Sequence, residues 1–126
     1  MSLVDISLLD EIDLSKDVIT LPQGTYVLIE EYDNRGNVKK SYDGYYSSNE
    51  MLNSRKNKII LYKTRDDNGT PIRRNYVLDP NKRYPDKAYY FNGSFPPPLT
   101  YGLEGNGPRS GGTRTKKRRR RRTKRR

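Results

Sequence analysis

Short runs of strand-forming apolar and aromatic residues, separated by polar segments with turn chemistry, mark the middle of this chain as β. Thr25–Tyr32 is rich in β-branched, aliphatic and aromatic residues. A polar loop, Asp33-Asn34-Arg35-Gly36-Asn37, follows, and Val38–Tyr46 returns. Lys58–Thr64 and Ile72–Leu78 repeat the pattern around Asp66-Asp67-Asn68-Gly69, whose Asn-Gly pair suits a tight hairpin turn. Asp17–Leu21, ended by Pro22-Gln23-Gly24, and Lys87–Phe91 read as two shorter strands. The predicted body is therefore all-β or β-rich, a small barrel or sandwich built from two hairpins, spanning residues 17–91. The hairpins overlie each other at an offset of 33 residues, with Gly36 on Gly69 and Asp33 on Asp66. An internal duplication is one reading of this match, and shared turn chemistry is the preferred one.

The flanks follow other patterns. Residues 1–16 form an acidic-hydrophobic arm. Leu8, Leu9 and Ile12 fit a short helical turn capped by Ser7, and an extended arm laid on a neighbour fits equally. From Asn92 onward Gly93, Pro96, Pro97, Pro98, Gly102, Gly105, Gly107 and Pro108 favour extended, flexible backbone. Residues 92–112 thus read as a Pro/Gly-rich linker. Residues 113–126 read as a polybasic disordered tail, because nothing in them can bury enough surface to offset the entropy of ordering.

Charge sharpens this division. Of the 26 Lys and Arg residues, twelve lie between Arg109 and Arg126, leaving fourteen against 15 Asp and Glu in the rest of the chain. The formal net charge of +11 therefore describes a nearly neutral body joined to a cation. The twelve are Arg109, Arg114, Lys116, Lys117, Arg118, Arg119, Arg120, Arg121, Arg122, Lys124, Arg125 and Arg126. Guanidinium groups stay charged at physiological pH and grip phosphate oxygens in a bidentate fork. Each phosphate neutralised releases condensed counterions, so the expected partner is nucleic acid bound through its backbone, without sequence preference. A nuclear import signal, an acidic protein or an anionic membrane are rival targets for such a run.

Eleven tyrosines supply much of the apolar bulk in a chain that is only 31% hydrophobic. Many alternate with cations, and Tyr45, Tyr62 and Tyr89 are candidates for stacking on bases or for a protein interface. Packing inside a thin aromatic core is the competing role. A thin core also points to a partner subunit or to self-association.

Chemistry beyond binding finds little footing. The chain has no Cys and no His, and no phosphate loop, nucleophile elbow or zinc spacing. Glu30 and Glu31 are adjacent on a strand and so face opposite sides. The expectation is a non-enzymatic protein without catalytic, cofactor-binding or metal-binding residues. No run of about twenty apolar residues predicts a membrane span, and the acidic start does not look like a secretory signal.

The ending SGGTRTKKRRRRRTKRR, residues 110–126, resembles the C-termini of small virion proteins of nucleocytoplasmic large DNA viruses. The resemblance implies a minor capsid or core-associated protein, located in the virion, whose arm touches packaged genome or an acidic inner surface. The expected function is structural: the β domain docks on a protein lattice or partner subunit, and the tail holds nucleic acid. The alternative is a nuclear or regulatory protein whose Tyr-rich domain binds single strands and whose tail is a localisation signal.

Overall fold

Six strands form one antiparallel sheet in a computed structural model that describes residues 6–16, 19–64 and 69–105. They are β1 (Leu9–Glu11), β2 (Tyr26–Tyr32), β3 (Val38–Met51), β4 (Asn57–Thr64), β5 (Pro71–Leu78) and β6 (Lys87–Phe91), in the spatial order β1-β6-β2-β3-β4-β5. Both predicted hairpins are present, as β2–β3 and β4–β5. In the first turn the Asp33 carboxylate accepts the Arg35 and Asn37 amides, and these bonds hold its pKa below the usual value. The predicted turn residues Asp66, Asp67 and Asn68 lie outside the described residues, as does the start of the strand expected at Asp17–Leu21. Its remainder, Ile19–Leu21, is not in a strand.

The β-rich expectation holds, but the sheet is a single open layer with β1 and β5 at its edges, not a closed barrel. What lets one layer enclose a core is β3. This fourteen-residue strand pairs with β2 through its first half, up to Tyr45, and with β4 through its second half, from Tyr45 onward. A bulge at Ser47 interrupts the second ladder, and bulges bend the strand that carries them. The sheet therefore turns along β3. One consequence is that Tyr42 on β3 and Tyr76 on β5, two strands apart, bring their ring centroids within 4.6 Å. In a flat sheet that spacing would be about 9.5 Å. Inside the bend, Val27, Ile29 and Ala88 from one half meet Ile59, Leu61, Tyr76 and Leu78 from the other.

Two segments predicted to lie outside the domain belong to it. Within the described part of the N-terminal arm, residues 6–16, the helical turn expected over Leu8, Leu9 and Ile12 is not formed, and the segment lies extended against the chain's own sheet. A 3-10 turn at Ile6–Leu8 leads into β1, which pairs with β6, and Ile12 and Leu14 enter the core. The hydrophobic pattern was ambiguous between a helix and a strand, and the unpaired edge of β6 decided it. The predicted linker is also partly core. Leu103 is 2% exposed and packs so closely over Gly44 that a Cβ there would stand 2.7 Å from its Cδ2. Burying such a leucine stabilises the fold by about 1.5–3 kcal/mol. The packed unit thus runs to Gly105 rather than stopping near Phe91.

Three buried polar side chains hold these non-strand segments. Asn57 donates to the Leu14 and Lys16 carbonyls, fixing the arm. Asp86 accepts the Tyr32 and Asp79 amides and pairs with Lys82 at 2.6 Å, fixing the β5–β6 connection. Asp43, fully buried in β3, accepts the Tyr26 hydroxyl at 2.6 Å and the amides of Thr100, Tyr101 and Gly102. The Asp43 amide in turn donates to the Gly102 carbonyl. Residues 100–102 thereby cover β3 where β4 does not reach it.

Replacing Asp43 by Asn keeps the size but exchanges one acceptor oxygen for a donor that faces amides. Hydrogen bonds to a charged group contribute about 1.5–3 kcal/mol each, and an unsatisfied buried group costs a similar amount. Asp43→Asn is therefore expected to lower unfolding stability by about 2–4 kcal/mol. Amide exchange at Thr100–Gly102 should accelerate more than in β4. An unchanged urea midpoint would show that this carboxylate does not carry the segment.

Candidate functional site

Tyr45 and Tyr62, two of the three tyrosines singled out above, stand directly opposite each other on β3 and β4. The register extends the pair in both directions. Tyr26 on β2 is opposite Tyr45, and Arg73 on β5 is opposite Tyr62. A single row, Tyr26–Tyr45–Tyr62–Arg73, thus crosses four strands on the outer face of the bent sheet. Such cross-strand aromatic pairs stabilise a sheet as well as decorate it. Exposure rises along the row, from Tyr26 at 0% through the half-buried Tyr45 and Tyr62 to the exposed Arg73.

The geometry of the row limits what it can do. The Tyr45 and Tyr62 rings meet at 5.9 Å and 56°, each presenting an edge to the other rather than leaving two parallel faces free. Tyr45 also packs against the cluster of Leu9, Tyr26 and Leu28. Tyr89, the third candidate, sits on β6 opposite Leu28 and packs against the same cluster, three strands from β4. It does not join Tyr62 in one platform. The exposed part of the row is therefore Tyr62 and Arg73, flanked on the same face by Ile60 and Asn75 in register and then by Lys58 and Val77. Lys58 pairs with Glu50 at 3.3 Å. Arg73 went unremarked in the sequence as Tyr62's neighbour, because only the β4–β5 register reveals it.

Other interleaved cations are committed to nearby rings. Lys40 lies over Tyr42 at 5.6 Å, Arg83 over Tyr84 at 5.5 Å and Lys87 over Tyr32 at 5.9 Å. Glu30 and Glu31 part as expected: Glu30 accepts from the Tyr32 hydroxyl, and Glu31 from the Tyr42 hydroxyl on the other face. Among the described residues no group of three or more acidic side chains is placed to hold a metal ion. No described helix is long and apolar enough to cross a membrane. An open groove of about 410 Å³ runs between Ile12–Ser15 and the Pro80 and Pro85 loop. The Asp86 carboxylate at its base is already engaged by two amides and Lys82.

All twelve candidate phosphate-binding residues, Arg109 to Arg126, lie outside the described residues, so their part of the site is known from sequence. No family model matches the chain, and no curated protein or solved structure matches it either. The class that fold and surface define is a bent six-stranded antiparallel sheet with an aromatic row on its outer face.

Seven tyrosines are held above the ordinary tyrosine range. Burial, then the hydrogen bond to Asp43, pushes Tyr26 far above the usual tyrosine value. Burial likewise raises Tyr32, Tyr45, Tyr46, Tyr76 and Tyr89, and it lifts Tyr42 to about 12. A folded pKa above the unfolded value of about 10 means that the stabilising contribution is complete below pH 10 and is lost as pH rises through the folded values. Stability should therefore fall steeply above about pH 10. Tyrosinate absorbance should be incomplete at the ordinary tyrosine pKa, the share of Tyr26, Tyr32, Tyr42 and Tyr76 appearing only at higher pH and with loss of the sheet's circular dichroism. Smooth titration of all eleven with one midpoint near the unfolded value would contradict the packing described.

Proposed function

We propose that this protein is a non-enzymatic nucleic-acid tether, in which the segment Arg109–Arg126 grips the phosphate backbone and the folded unit determines where that grip is placed. The observation that carries this reading is charge segregation. Twelve cations and no acid occupy eighteen residues, while the rest of the chain holds fourteen cations against 15 acids. A solubilising surface would spread its charge, whereas a polyanion ligand is best met by a dense run. Tethering raises the local concentration of the cationic segment around whatever the folded unit binds. The similarity of residues 110–126 to virion protein C-termini makes a virus particle the setting in which this role is tested first, with a minor capsid or core component as the specific form.

One observation favours a second contribution. Tyr62 and Arg73 place an aromatic ring and a guanidinium side by side on an open sheet face, a pairing that can stack on unpaired bases. In this second reading the folded unit itself holds single strands and the basic run serves nuclear import.

A chain ending at Pro108 separates the two, since every described packing contact lies within residues 6–105. Under the tether reading the truncated protein keeps its fold and loses nucleic-acid binding by a hundredfold or more, estimated from roughly six to ten phosphate contacts. The full chain on random duplex DNA should show log K falling with log salt at a slope of roughly −5 to −9. A slope near zero, or full affinity after truncation, would sink the reading. Retained single-strand affinity that Tyr62→Ala and Arg73→Ala each weaken would support the second one instead.

A further inference from the structure

The connection from β6 to the segment held by Asp43 displays the sequence Ser94-Phe95-Pro96-Pro97-Pro98-Leu99 on a short loop with both ends fixed. At the near end the Phe91 ring lies over Gly93, where a Cβ would stand 2.3 Å from the ring and displace it. At the far end Leu99 packs against the Leu9, Tyr26 and Leu28 cluster, and the Thr100 amide donates to Asp43 at 2.7 Å. Between these anchors Phe95 is 89% exposed, more than any other large apolar side chain among the described residues. Pro96 and Pro98 are exposed and Pro97 half-buried.

Single exposed apolar residues are common and by themselves mean little. Here the neighbours change the argument. Three consecutive prolines fix their own φ and restrict the residue before each, which favours extended, polyproline-like backbone over Pro96–Pro98, just after the chain bends at Gly93–Phe95. Prolines donate no N–H, so this stretch cannot join a sheet ladder. None of the backbone carbonyls of residues 93–98 accepts a backbone hydrogen bond from the described residues. The loop thus presents an aromatic ring, proline faces and carbonyls without a backbone partner among the described residues, on a scaffold that is already ordered.

We propose that residues 94–98 are a docking segment for a folded partner protein that carries an aromatic-lined groove. Such grooves take proline-rich backbone between aromatic rings and donate side-chain N–H or O–H groups to its carbonyls. Phe95 is the anchor that fills an adjoining pocket. Rigid presentation at both ends favours binding because little freedom remains to be lost. This goes beyond the nucleic-acid reading and does not rest on it: it assigns the folded unit a protein partner of stated chemistry whether or not the basic run binds phosphate.

The test uses the full chain, titrated with a panel of isolated WW, SH3 and EVH1 domains as probes for the groove chemistry. Salt is held at about 0.3 M, where the Debye length is short enough to suppress contacts of the basic run. The expected result is saturable binding by at least one domain class, weakened about tenfold or more by Phe95→Ala, as for an anchor residue, and also by Pro97→Ala. Both variants should keep the wild-type amide spectrum and wild-type affinity for random duplex DNA. Absence of binding by every class, or binding that neither substitution weakens, overturns the proposal. Self-association of the wild-type chain in sedimentation, abolished by Phe95→Ala, would also overturn it by assigning the loop to a second copy.

Discussion

One desolvated carboxylate organises this protein. Asp43 sits on the strand that both halves of the sheet share, two residues before the switch at Tyr45, and four donors converge on its two oxygens. Stripping water from an ionised carboxylate costs several kcal/mol, and only a full set of hydrogen bonds offsets that cost. Tyr26 and the amides of Thr100, Tyr101 and Gly102 are that set. Their convergence is therefore a condition of the fold rather than an ornament. Satisfying Asp43 draws residues 100–102 onto β3, and those residues carry Leu99 and Tyr101 to one apolar cluster and Leu103 to the other.

The same logic recurs at Asn57 and Asp86, and composition explains why. With 31% hydrophobic residues the chain has little apolar surface to hold its connections by burial alone. Each long connection is instead fastened by a buried polar side chain reaching backbone groups tens of residues away. Directional bonds of this kind specify one register and one path, which a thin core of mobile tyrosines would not. The tyrosines then complete the arrangement, because hydroxyls such as those of Tyr26, Tyr46 and Tyr76 find acceptors inside it.

Strand identity was legible in the sequence because it is local. β2, β4, β5 and β6 fall within a residue of the expected ranges, since strand-forming composition and turn chemistry are read from neighbours. β3 ran longer than expected, from Val38 to Met51 instead of ending at Tyr46, because its second half is a strand only through pairing with β4. The arm and the linker were misread for one shared reason. Glycine and proline in residues 92–105 do signal irregular backbone, but irregular backbone can still be held, and the holder is 57–59 residues away at Asp43. Asp43 itself looked like an ordinary polar residue in a strand. No local pattern marks a carboxylate whose partners lie so far along the chain. The candidate tyrosines divided similarly: Tyr45 and Tyr62 met through register, while Tyr89 was claimed by the cluster beneath β1.

The pinned segment also gives the division between body and cation a physical form. Gly105 is the last described residue, and Arg109 follows four positions later. A dense cationic run binds phosphate wherever it meets it, so any selectivity of placement has to come from the unit to which it is attached. That unit offers two surfaces of different character. The Tyr62–Arg73 end of the row is broad, mixed and open, suited to adaptable contact. The Phe95–Pro98 loop is narrow, apolar and held at both ends, suited to a shaped pocket. Rigid presentation has value only where a partner reads shape. In the proposed role, one carboxylate, Asp43, fixes the far end of the docking loop and the last segment described before the basic run, which would link the place of docking to the place where charge is delivered.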